Sequence, residues 1–125
     1  MSKIIIPGRL PGMNEYTSAC RTHKSAGARM KRENQWYVQL MIRQQRQNIA
    51  AIKPPVTLFY SFFEPNMRRD KDNVESFAKK VIQDALVAEG ILPNDGWAEV
   101  SGSTVAFDKD KDNPRIEVEI LEAKV

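Results

Sequence analysis

Val56-Thr57-Leu58-Phe59-Tyr60-Ser61-Phe62-Phe63, then Arg68-Arg69-Asp70-Lys71-Asp72-Asn73, then the run from Asp72 to Glu89 decide the fold. The first segment is rich in β-branched and aromatic residues and predicts a strand. In the last, Val74, Phe77, Ala78, Val81, Ala85 and Ala88 fall on one stripe at about 100° per residue, which predicts a helix. Gly90 closes it. Downstream, Pro93-Asn94-Asp95-Gly96 makes a turn, and Val100–Phe107 and Arg115–Leu121 alternate as two strands joined by a charged hairpin tip. Upstream, Pro54-Pro55 stops a helix over Ala28–Ala51, with Met30, Tyr37, Leu40 and Met41 at helical spacing. Before it a long loop of Ser, Thr, Gly and basic residues reaches back to the strand Lys3–Ile6. The order β-α-β-α-β-β predicts a single α+β domain over residues 1–125, one mixed sheet with two helices packed against it.

Length and charge bound the function. The chain has 125 residues, enough for one domain with its own core. No apolar run approaches the ~20 residues of a membrane span or the ~7–15 of a secretory signal, so no membrane partner is expected. A single cysteine, Cys20, gives no disulfide framework and suits a cytoplasmic setting. Residues 1–55 hold ten Lys/Arg against Glu15 and Glu33, a net +8, whereas the remainder carries −5. Thr17 to Arg32 contains no acid but holds Arg21, Lys24, Arg29, Lys31 and Arg32. Such a segment attracts polyanions by counterion release, or is simply a solvated surface.

Asp70 and Asp72 carry the chemistry. Residues two apart in extended chain point the same way, so both carboxylates can face one point. Two such charges ~4 Å apart repel by about 4 kcal/mol at an effective dielectric of 20, so the pair needs solvent, a proton or a cation. Oxygen-only ligands suit Mg²⁺ or Mn²⁺ rather than zinc. The competing reading is a capping box, Asp72 with Glu75. On the helix that follows, Lys80 and Asp84 are i,i+4 neighbours at the border of core and water, either a surface ion pair or part of a charged rim. Asp95 is a turn aspartate, or an acid carried back toward that rim.

Other constellations are weaker. Asp108-x-Asp110-x-Asp112 imitates a calcium loop, but Pro114 and strand-like flanks oppose it. Cys20 and His23 lack the partners of a zinc site. Trp36, Trp97 and Phe77 are expected in the core. Gly-rich phosphate loops and organic-cofactor motifs are absent.

Arg-Arg-Asp-Lys-Asp-Asn, then Lys80-x-x-x-Asp84-Ala85-Leu86, Gly90 and Asn94-Asp95, together resemble the RusA family of Holliday-junction resolvases, phage- and prophage-borne endodeoxyribonucleases. Leu10-Pro11-Gly12-Met13-Asn14-Glu15-Tyr16 is similar to the family's Pro-rich, Asn-containing opening. The resemblance implies that Asp70, Asp72 and Asp95 serve a Mg²⁺ or Mn²⁺ site, with Asp84 as a supporting acid and Lys80 as the catalytic lysine. The chain has about one helical turn more between Asp72-Asn73 and that lysine than the family pattern, which leaves Lys79 as an alternative. Lys80 shares a face with Asp84. Asn14, Arg68, Arg69, Arg21, Lys24, Arg29, Lys31 and Arg32 would meet DNA. The implied activity is paired, symmetric nicking of a four-way junction in recombination and repair. With one acidic constellation per chain, that activity requires a two-fold homodimer. The alternatives are a phage DNA-binding module without catalysis and a nuclease for other branched DNA.

Overall fold

The computed structural model describes residues 2–123 and has the order β-α-α-β-α-β-β. Its strands are β1 (Ser2–Pro7), β2 (Val56–Glu64), β3 (Val100–Lys109) and β4 (Arg115–Glu122), in the spatial order β1-β4-β2-β3. β2 runs parallel to β3 and antiparallel to β4, and β4 antiparallel to β1. The helices are α1 (Met13–Thr22), α2 (Ala26–Gln45) and α3 (Lys71–Ala88). The expected α+β class and mixed sheet are present, with three helices rather than two.

Period-two burial explains the strands. Val56, Leu58, Tyr60 and Phe62 of β2 join Ile4, Ile6, Ile116, Val118 and Ile120 in one core, closed by Val38 and Ile42 of α2 and by α3. α3 buries Val74, Phe77, Ala78, Val81, Ile82, Ala85 and Leu86. Ala88, placed on the stripe by periodicity, is exposed. Gly90 has φ 73°, and Ile91 N–H donates to Leu86 O at 2.9 Å, a Schellman-type stop that needs the left-handed conformation glycine adopts freely.

α1 replaces most of the expected loop. Its Ser, Thr and Cys content gives weak helix propensity, and docking supplies the rest. Gly12 N–H donates to Glu15 Oε1, Asn14 N–H donates to Asn73 Oδ1 at 2.7 Å, and the Tyr16 and Phe77 rings lie 4.7 Å apart. A Cβ on Gly12 would strike the Asn73 side chain, so the glycine allows α1 to start against α3.

Two further expectations are corrected. The long helix ends at Gln45, followed by a 3₁₀ turn at Arg46–Asn48, rather than at Ala51. β3 and β4 do not form a hairpin: β2 lies between them, and residues 110–114 cross over its end, where Asp110 N–H donates to Glu64 O at 2.8 Å.

Candidate functional site

β2 ends at Glu64, and α3 starts at Lys71 with Asp70 as its N-cap residue. Asp70 therefore stands at the carboxyl end of the parallel pair β2 and β3, where open α/β sheets place their ligand crevices. One cleft there is walled by Met67, Asp70, Lys71 and Val74 on one side and Phe107, Asp108 and Lys109 on the other. A second, at the meeting of the α1 and α3 N-termini, is lined by Asn14, Asp70, Asp72, Asn73 and Ser76. Asp70 borders both.

The backbone is extended at Asp70, as expected, with φ −63° and ψ 147°, but the extended segment ends there and does not reach Asp72. Asp72 lies inside the first turn of α3, which also removes it as the N-cap of a capping box with Glu75. The Asp70 side chain makes no cap hydrogen bond. Neither Asp70 nor Asp72 forms an ion pair among the described residues. Their oxygens remain available to water or a hard cation.

The approach to Asp70 is held by a charge cluster that sequence reasoning missed. Glu64 accepts from Arg69 Nε at 2.9 Å and Nη2 at 3.0 Å, and from Arg9 Nη2 at 2.9 Å. Arg69 Nη1 also donates to Leu10 O at 3.0 Å. Burial disfavours the Glu64 carboxylate, but its hydrogen bonds from Arg69 and Arg9 prevail and hold its pKa below the ordinary range. The signal was an acid ending an apolar strand five residues before Arg69. Arg69, expected on DNA, ties the 65–70 loop to the Pro-rich opening through Glu64 and Leu10 O.

The remaining candidates scatter. Asp84 accepts from Lys31 Nζ at 2.6 Å and sits 3.7 Å from Lys80 Nζ. It is fourteen residues beyond Asp70 along α3, about 21 Å at 1.5 Å per residue. Lys80, on the same helix, lies about 15 Å from Asp70 by that measure. Lys79 covers the Tyr60 ring, with its Nζ 5.8 Å from the centroid. Asp95 stands at the far end of the molecule. Its loop leads into β3, where Val56 N–H donates to Glu99 O at the start of β2, whereas Asp70 follows the end of β2. α3, about 27 Å long, runs between them in the chain. The expectation that one chain gathers Asp70, Asp72, Asp84 and Asp95 is not met, because a crossover helix must span the sheet before the chain returns. No group of three or more His, Cys, Asp or Glu suited to a metal occurs among the described residues.

Of the expected DNA contacts, Arg21, Lys24, Arg29 and Arg32 are exposed around the α1–α2 turn, with Arg68 and Asn14 exposed nearer the cleft. Lys31 is engaged by Asp84. Phe77 is in the core, but Trp36 is 48% and Trp97 100% exposed, against expectation. No described helix is long and apolar enough to cross a membrane. No protein-family model matches the chain, and no curated protein matches it.

Proposed function

We propose that the chain is a metal-dependent endodeoxyribonuclease that resolves four-way DNA junctions by paired symmetric nicks, acting as a homodimer with Mg²⁺ or Mn²⁺. The observation that carries this reading is the pair Asp70 and Asp72, two carboxylates without a cationic partner among the described residues, which line the cleft at the α1 and α3 N-termini while Asp70 also borders the crevice on the carboxyl ends of the parallel strands. The exposed bases Arg21, Lys24, Arg29, Arg32 and Arg68 supply a surface for phosphate backbone, whose contacts position DNA without reading sequence. The resemblance to RusA-family resolvases supports the same reading, with a phage or prophage gene acting in the bacterial cytoplasm as its setting.

Of the three expected acids one chain places Asp70 and Asp72 at adjoining clefts and leaves Asp95 away from both, with Asp108 as the acid that faces Asp70 instead. A two-fold dimer remedies this when the partner's Asp95 reaches the Asp70 cleft, and symmetry then completes two sites at once. Asp70, Asp72 and the partner's Asp95 would hold the cation. A divalent ion in such an oxygen set supplies an activated water and absorbs charge on the leaving oxygen. Lys80 and Asp84, more than two helical turns from Asp70, are assigned to phosphate-backbone contact and helix pairing rather than to the reacting phosphate.

The test is a gel assay of four-way junction cleavage with Mg²⁺ and with EDTA. Asp70→Asn is expected to abolish Mg²⁺-dependent nicking and leave junction binding intact. Full cleavage by that variant would contradict the assignment. Binding by wild type without cleavage in any divalent ion would favour the non-catalytic binding module. Preferential cutting of flaps would favour a nuclease of other branched DNA.

A further inference from the structure

The two edges of the sheet are treated differently. On β1, Gln45 occupies the outward backbone of Ile5, accepting from its N–H at 2.8 Å and donating to its C=O at 2.7 Å. Tyr37 Oη donates to Pro7 O at 2.6 Å on the same edge. Side chains of α2 thus block β1 from adding another strand. β3, the opposite edge, is ten residues long and pairs only with β2. It contains no proline, its charges are confined to Asp108 and Lys109, and its one irregularity, at Ser101, lies near its start. Gly102–Phe107 is therefore an unguarded row of backbone donors and acceptors, a template for another strand.

We infer that β3 pairs antiparallel with β3 of a second copy, about a two-fold axis at Thr104. Self-pairing of one strand about such an axis is necessarily antiparallel, and Thr104 lies at the middle of the regular stretch. That register sets the Glu99 end of each strand beside the Lys109 end of the other, joining opposite charges at both ends of the seam. It also carries the loop holding Asp95 and Trp97 to the partner's end of β3, where Phe107, Asp108 and Lys109 border the Asp70 cleft. Trp97, fully exposed, and Met67, 85% exposed, then meet across the seam. Each is an apolar side chain that one chain alone leaves in water. The inference rests on the two-chain reading of the site, and its test separates the two.

The full chain carrying Cys20→Ser, which removes the one native thiol, receives Thr104→Cys. Directly opposed residues place their Cβ atoms about 4.5–5.5 Å apart, so oxidation is expected to yield a disulfide-linked dimer. Ala106→Cys copies would lie four residues apart along the seam, about 13 Å, and stay unlinked. Lys3→Cys, on the blocked edge, is expected to stay unlinked as well. A protein that sediments as a monomer at all concentrations, or a dimer in which Thr104→Cys fails to link or Lys3→Cys links as readily, overturns the seam. A linked dimer that never nicks junctions upholds the seam and overturns the nuclease. Nicking by a dimer that does not link at Thr104 does the reverse.

Discussion

Asp70 and Asp95 bracket α3: the first stands at its N-cap position, and the second follows its C-terminus in the loop that leads into β3. α3, about 27 Å long, runs between them, so the proposed three-acid site would draw its acids from two chains.

Glu64 and Arg69 test whether the bracket beside Asp70 is structural. Their pair is largely buried, with side-chain exposures of 11% and 17%. Glu64→Ala leaves two guanidinium groups without their carboxylate, and is expected to cost about 3 kcal/mol in urea unfolding. Arg69→Ala is expected to lower stability while leaving the salt dependence of DNA binding unchanged. A flatter salt dependence in Arg69→Ala would return that residue to the DNA interface.

Arg29 and Arg32, exposed on α2, give the opposite pattern. Each alanine substitution is expected to leave unfolding within about 0.5 kcal/mol of wild type. Each is also expected to reduce the slope of log affinity against log salt by about 1, measured by fluorescence anisotropy on a junction. An unchanged slope would place the DNA elsewhere.

Sequence patterning was most legible where burial has a strict period. β2 and α3 were readable because one face of each meets the core, and Gly90 announced the end of α3 through its left-handed turn. α1 was not, since its Ser, Thr and Cys residues carry little propensity and its stability comes from docking on Asn73 and Phe77, a long-range contact. The β3–β4 loop reads as a hairpin because local sequence does not record that β2 inserts between them. In the site, Asp70 and Asp72 were visible as a spacing. The bracket of Arg69 on Glu64 and the remoteness of Asp95 are consequences of topology.

Glu89 gives a pH signature. Its carboxylate accepts from Arg43 Nε at 2.9 Å and Gln39 Nε2 at 2.7 Å, and Arg46 lies within 3.3 Å. The Arg43 hydrogen bond leads in drawing its pKa from 4.5 to about 2. A depressed carboxyl stabilises the fold above its unfolded pKa, and that stabilisation fades as pH falls from about 4.5 toward about 2. Glu89→Gln is expected to cost about 1–3 kcal/mol at pH 7 and to flatten the acid limb of the stability curve. An acid limb identical to wild type would assign acid sensitivity to other carboxylates, Glu64 first among them.

The most direct measurement mixes two inactive variants. Asp70→Asn and Asp95→Asn, each expected to be unable to nick a four-way junction, are combined in equal amounts and allowed to exchange subunits. Half of the dimers are then mixed, and each joins an intact Asp70 to an intact Asp95 of the partner subunit at one of its two sites. Nicking is expected to return to about a quarter of the wild-type rate. A mixture as inactive as either variant alone, under conditions in which wild type cuts and subunits exchange, would contradict a site built from two chains.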